Sequence, residues 1–154
     1  MTRKSEIMKI LKDAKQLARR YRGLTGKPLG ITGEVAEYEA ARILYVQLTP
    51  ARNAGYDAIE KVNGRTRRLQ IKGRCLLPNC KPGQRIGSID VKKEWDAVLL
   101  VLLDENFDAT EIHEANRQAV LAALAAPGSK ARNERGALGV NKFMVIGKRR
   151  WRRT

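Results

Sequence analysis

The chain has 154 residues, 43% of them hydrophobic, with 31 Lys/Arg against 16 Asp/Glu and a formal charge of +15. This length suits one domain with a sizeable core, and the absence of any run of about 18 apolar residues argues against a membrane-spanning helix. Met1-Thr2-Arg3-Lys4-Ser5 leads into charged residues instead of an apolar h-region, and Cys75 and Cys80 lack the second ligand pair of a zinc site; both point to a cytoplasmic protein with reduced thiols.

Residues 3–22 read as a basic amphipathic helix, with Ile7, Ile10, Leu11, Ala14, Leu17, Ala18 and Tyr21 at helical spacing. Gly23-Leu24-Thr25-Gly26-Lys27-Pro28 breaks it, and the short gap between its glycines excludes a phosphate loop. A second helix is expected over 32–46, with Thr32 as N-cap and Val35, Tyr38, Ala41 and Tyr45 as its apolar stripe. A short extended segment follows near Gln47–Ala51. Gly55–Val62 reads as a strand, Asn63-Gly64 as a two-residue hairpin turn, and Arg65–Cys75 as the returning strand.

Residues 76–94 hold Pro78, Pro82, Gly83 and Gly87 and read as a long, basic, mobile loop. Trp95–Asp104 contains a buried central strand, Ala109–Ala115 another strand, and Arg117–Ala126 a helix. A short helix is expected around Asn141–Lys148, and the tail from Lys148 to Arg153 reads as frayed. This order suits an α/β or α+β domain: a central mixed sheet flanked by helices. Three segments are expected: a basic N-terminal helix (1–28), a core domain (29–127) and a basic C-terminal extension (128–154).

Charge follows the same division. Residues 1–28 carry nine Lys/Arg and two Asp/Glu, residues 128–154 nine and one, and the middle thirteen of each. Within that neutral middle, ten Lys/Arg fall between Lys61 and Lys93, whereas six acids cluster between Glu94 and Glu111. One positive face fed by basic ends is the footprint of a phosphate-binding protein. Arg65, Arg67, Arg68, Arg74, Lys81, Arg85, Arg149 and Arg150 are the candidate backbone contacts, with Trp151 as a stacking residue. Trp95 reads as core. His113 lacks a second His four residues on and reads as an ordinary strand-edge residue, and Asp90 and Asp96 are weaker candidate metal ligands.

In a hairpin around Asn63-Gly64, Tyr56 to Asp57 come opposite roughly Gln70 to Gly73. Gln70 and Lys72 share a sheet face with Asp57, and Ile71 points into the core. A surface Asp–Lys pair on a basic hairpin has the same composition and contributes only about 0–1 kcal/mol. Asp57, then Gln70-Ile71-Lys72, preceded by a helix carrying Gly33-Glu34-Val35-Ala36-Glu37-Tyr38, resembles the PD-(D/E)XK nuclease superfamily. It is similar in style to Holliday-junction-resolvase-like and Mrr-type restriction endonuclease-like domains, some of which use Gln in place of Glu. The likeness spans roughly residues 30–125.

The resemblance implies a restriction endonuclease-like fold and a site for Mg²⁺ or Mn²⁺. Asp57 would be the bridging ligand, with the Gln70 side-chain oxygen and the Ile71 carbonyl beside it. Lys72 would polarise the attacking water or stabilise the transition state. Glu37 fits the helix acid of the pattern, and Glu34 lies on nearly the same face as the alternative. A neutral glutamine gives the site one negative charge fewer and a weaker hold on Mg²⁺. The family's usual helix soon after the motif lysine is missing.

The expected function is therefore a Mg²⁺-dependent endodeoxyribonuclease acting on DNA, with no membrane partner. A homodimer would supply two sites for two strands, but no interface stripe is legible. Two alternatives remain: a nuclease-fold DNA-binding module without catalysis, and a basic RNA-binding protein.

Overall fold

The computed structural model describes residues 2–26, 28–50, 55–81, 83–127 and 137–154. The stretches 51–54 and 128–136, which include parts of the expected extended segment and C-terminal extension, lie outside the described residues. The architecture is α+β, a six-stranded mixed sheet flanked by helices. Helices α1 (Arg3–Thr25) and α2 (Thr32–Leu44) precede strands β1 (Gln47–Leu48), β2 (Ala58–Val62), β3 (Arg65–Cys75), β4 (Ala97–Leu103) and β5 (Ala109–Asn116). Helices α3 (Arg117–Ala125) and α4 (Val140–Ile146) and strand β6 (Lys148–Arg152) complete the described chain. No helix among the described residues is long and apolar enough to cross a membrane.

Local chemistry sets these boundaries. Thr2 Oγ1 accepts the Ser5 N–H at 3.1 Å to start α1, and Gly26, at φ 69°, ends it. Thr32 does not cap α2 as expected: it lies inside the first turn, the cap position is Ile31, and no side chain closes that end. Asn63 and Gly64 take φ values of 52° and 77°, the paired positive values of a type I′ turn, and so fix the β2–β3 register.

The strands lie in chain order, and β3 and β4 are the one parallel pair among them. β4 is buried at all seven positions because both faces are covered. Ala97, Leu99, Val101 and Leu103 join the α1/α2 side with Val35, Ala36, Ala40 and Phe107. Val98, Leu100 and Leu102 join the other side with Ile86, Trp95, Val120, Leu138 and Phe143. Each fully buried Leu or Val contributes about 1.5–3 kcal/mol, so this strand anchors both layers.

Two segments differ from expectation. The connection from β3 to β4 lacks a helix, yet its described residues pack onto the body: Ile86 and Ile89 are buried, and Ile86 N–H donates to Leu138 O at 3.0 Å. The tail is not frayed. It forms β6 against β5, with Trp151 opposite Ile112.

The sheet is also strongly curved. Arg150 Nη2 of β6 lies 2.8 Å from Glu60 Oε2 of β2, four strands away in the sheet order. In a flat sheet four spacings are about 19 Å, more than these two side chains span. The β2–β3 hairpin therefore curls toward β6. Arg67 closes the same network, 3.2 Å from Glu60 and 2.9 Å from Glu114.

Candidate active site

Asp57 immediately precedes β2, and its backbone continues the ladder: its N–H donates to Leu69 O at 2.8 Å and its carbonyl accepts from Thr49 N–H at 2.9 Å. The register Ala58↔Leu69 brings Asp57 opposite Gln70, within the expected range. Its Oδ2 accepts the Ile71 N–H at 2.8 Å, so the carboxylate is held across the strand pair.

Gln70 and Lys72 alternate with Leu69 and Ile71, which are buried in the α1/α2 core. Gln70 is itself 93% buried, and its Nε2 donates to Gly55 O at 2.9 Å. A carbonyl partner fixes which end of the amide is nitrogen, leaving Oε1 buried with no hydrogen bond. An unsatisfied buried acceptor costs about 1–3 kcal/mol. Lys72 Nζ donates to Ser88 O at 2.8 Å, which ties the ammonium to the β3–β4 connection and leaves two N–H bonds for other acceptors.

Glu37 arrives from α2. A Cβ built on Gly73 would lie 2.6 Å from Ala36 Cβ and 3.0 Å from Thr32 O, so only glycine lets the helix lie this close to β3. Half-buried Glu37 has its carboxyl pushed up from 4.5 to about 7, by burial first and then by Asp57 and Glu34, with Lys72 opposing. Glu34, one turn earlier, is exposed. Glu37 thus feels Asp57, Glu34 and Lys72, while Asp57 is joined to Ile71 and lies opposite Gln70 across the strand pair. Among the described residues no three His, Cys, Asp or Glu side chains form a ready-made metal cluster. The oxygens with lone pairs to offer are those of Asp57, Glu37 and the orphaned Gln70 amide.

The basic residues divide into two groups. Arg67 and Arg150 bind Glu60 and Glu114, Arg68 binds Glu94 and Asp96 at 3.0 and 3.3 Å, and Arg149 approaches Glu111 at 3.5 Å. Trp151 is half-buried against the core. Arg85 donates to Ala137 O. Arg65 and Lys81, by contrast, are exposed. Arg74 lines a cleft of about 490 Å³ with Arg22, Thr32, Gly33 and Gln84, its buried Nε unpaired.

Other polar residues are structural. His113 is not at a strand edge: β5 lies between β4 and β6, and buried His113 bonds Glu111 Oε2 at 2.7 Å. Asp96 accepts Arg68 N–H at 2.7 Å; burial would raise its carboxyl, but Arg68 holds it low. Asp90 closes a turn onto Lys92 N–H. Trp95 is 99% buried, as read from the sequence. The supporting groups the sequence reading missed are Gly55 and Ser88, which act through backbone carbonyls, and Gly73, which acts by lacking a side chain. A glycine directly after the motif lysine was the one legible signal.

No protein-family model matches the chain, and no curated protein matches it.

Proposed function

We propose that this chain is a metal-dependent nuclease of the PD-(D/E)XK type that hydrolyses phosphodiester bonds in DNA. The observation that carries the reading is the meeting of a helix acid with the strand motif: Glu37 feels Asp57, Glu34 and Lys72 together. The donor set suits Mg²⁺ or Mn²⁺. Gln70 Oε1 is a buried oxygen without a partner, and the crowding of Glu37 by two carboxylates is the kind a hard cation relieves. Asp57, Gln70, the Ile71 carbonyl and Glu37 would hold the ion, with Glu34 as the alternative helix acid. When bound, such an ion supplies Lewis acidity and a low-pKa water.

The chain's own residues do the remaining work. The Ile71 N–H orients the Asp57 carboxylate, and the Gly55 carbonyl turns the Gln70 oxygen away from itself. Lys72, braced by Ser88, presents positive charge to a phosphate oxygen. Arg65, Arg74 and Lys81 are the backbone contacts this reading favours, because they are not engaged by acids among the described residues.

Nicking of supercoiled plasmid in millimolar Mg²⁺ or Mn²⁺ tests the reading. Activity should fall at least about 100-fold in Asp57→Ala and in Lys72→Ala. Unchanged nicking in Asp57→Ala would overturn it. Gln70 favours a second reading, a DNA-binding module without catalysis, since its neutral amide weakens the hold on a cation. That module would retain DNA but show no metal-dependent cleavage at all.

A further inference from the structure

Helix α1 carries two apolar faces. Leu11 and Ala18 turn toward the body: Ala18 is fully buried in the core, and Leu11 lies with Val35 and Tyr38. Lys15 reaches Asp108 at 2.9 Å and Glu39 at 3.6 Å, and the Arg22 guanidinium stacks 4.7 Å over the Phe107 ring. These contacts hold the helix in place. The second face is Ile10, Leu17, Tyr21 and Leu24, which are 60%, 57%, 40% and 85% exposed. They are four of the nine exposed large apolar side chains among the described residues, all on one stripe of one helix.

Their spacing identifies the occupant as a helix. With half-exposed Ala14, the positions 10, 14, 17, 21 and 24 alternate steps of four and three, the a/d seam of a coiled coil. The flanking charges identify which helix. Asp13 and Arg20 lie seven residues apart along the edge of the seam away from the body, both exposed and neither with a partner among the described residues. When two copies of α1 pair antiparallel about Leu17, that edge meets its own copy, and Asp13 of each chain faces Arg20 of the other. In a parallel pair Asp13 would instead meet the position of Ala18, which is buried against its own body.

We infer that the Ile10–Leu24 stripe of α1 is a self-association surface, pairing antiparallel with α1 of a second copy of this chain. The seam is independent of the chemistry at Asp57. The helix is already ordered by its own body, so association does not have to fold it. One helix face per chain falls below the size of a stable, permanent interface, so the dimer is concentration-dependent. Repulsion between two chains of charge +15 opposes it at low salt.

Sedimentation equilibrium of the full chain in about 0.3 M salt, from about 1 to 200 µM, reads the mass directly. The expected result is a rise from 17.3 kDa toward twice that value. Leu17→Lys should stay monomeric across the range with a nearly unchanged melting temperature, since Leu17 is 57% exposed and lies outside the buried core. Asp13→Arg and Arg20→Asp should each weaken association at least about threefold, and the double exchange should restore it, which a merely weakened helix would not do. A constant mass of 17.3 kDa, or association untouched by Leu17→Lys, would overturn the inference. So would a monomer whose α1 stripe binds only anionic lipid vesicles. Failure of the double exchange to restore pairing would overturn the antiparallel register.

Discussion

Replacing Glu37 by Gln should stabilise the cation-free protein at pH 8 and leave it nearly unchanged at pH 4.5. The Glu37 carboxyl is raised from 4.5 to about 7, because burial and the nearby Asp57 and Glu34 all disfavour its ionised form, against the opposing pull of Lys72. Below about pH 4.5 the group is protonated in both folded and unfolded chains, and stability is unaffected. Between about 4.5 and 7 the unfolded chain releases the proton while the folded chain keeps it, so stability is lost as pH rises. Above 7 the loss is complete. A difference of about 2.5 units at about 1.36 kcal/mol each sets a ceiling near 3.4 kcal/mol. Solvent and counterions reach a half-buried carboxyl, which brings the expected value to about 1–3 kcal/mol. Urea unfolding of wild type and Glu37→Gln with a chelator present, at pH 4.5, 6, 7 and 8, should show the gap opening with that sign. Asp57→Asn should shrink the gap by removing the largest like charge, and millimolar Mg²⁺ should close it by stabilising only the wild type. A difference that stays flat with pH would refute the crowding of these carboxylates.

Three further changes probe the scaffold. Gly73→Ala should destabilise by about 1–3 kcal/mol in urea and reduce the pH-dependent gap at Glu37, because its Cβ would force α2 off β3; an unchanged gap would mean that the helix does not set the Glu37 environment. Gln70→Glu adds a carboxylate beside Asp57, so it should destabilise the cation-free protein at pH 8 and tighten Mn²⁺ binding by about tenfold in calorimetry. Equal or weaker binding would mean that the side-chain oxygen at 70 does not face the ion. Arg150→Met should cost about 1–2 kcal/mol, and a double-mutant cycle with Glu60→Gln should show coupling above about 0.5 kcal/mol; zero coupling would mean that the hairpin is not tied to β6.

Much of the site was legible because it depends on short-range pattern. Asn63-Gly64 fixed the turn, the turn fixed the register, and the register set Asp57 opposite Gln70. β4 stood out because seven apolar residues in a row need cover on both faces. The β3–β4 connection misled for a local reason: its buried anchors, Ile86 and Ile89, are single apolar residues scattered among Gly, Ser and basic residues and carry no periodicity. β6 was missed because Lys-Arg-Arg-Trp-Arg has the composition of a tail, yet a charged strand is well suited to an outer position in a sheet. The periodicity of α1 was read correctly as helical, but spacing alone could not divide it between a face turned to the body and one turned outward.

The curvature of the sheet changes what the charge of this chain means. Counted along the sequence, the cations between Lys61 and Lys93 and those of the tail form one continuous basic surface. In space, Arg67 and Arg150 are matched to Glu60 and Glu114, and Arg68 to Glu94 and Asp96, so much of that charge closes the hairpin onto β6 and pins it to the start of β4. Field available to a phosphate must then come from elsewhere. The exposed Lys4, Lys9, Lys12 and Arg19 of α1 supply part of it, Lys72 acts at the Glu37 and Asp57 carboxylates, and Arg74 and Arg22 line a cleft of about 490 Å³. Substituting Arg67 or Arg68 should therefore register first as lost stability, whereas substituting Arg74 should register as lost affinity for nucleic acid with the fold intact, a separation that melting and salt-dependent binding measure independently.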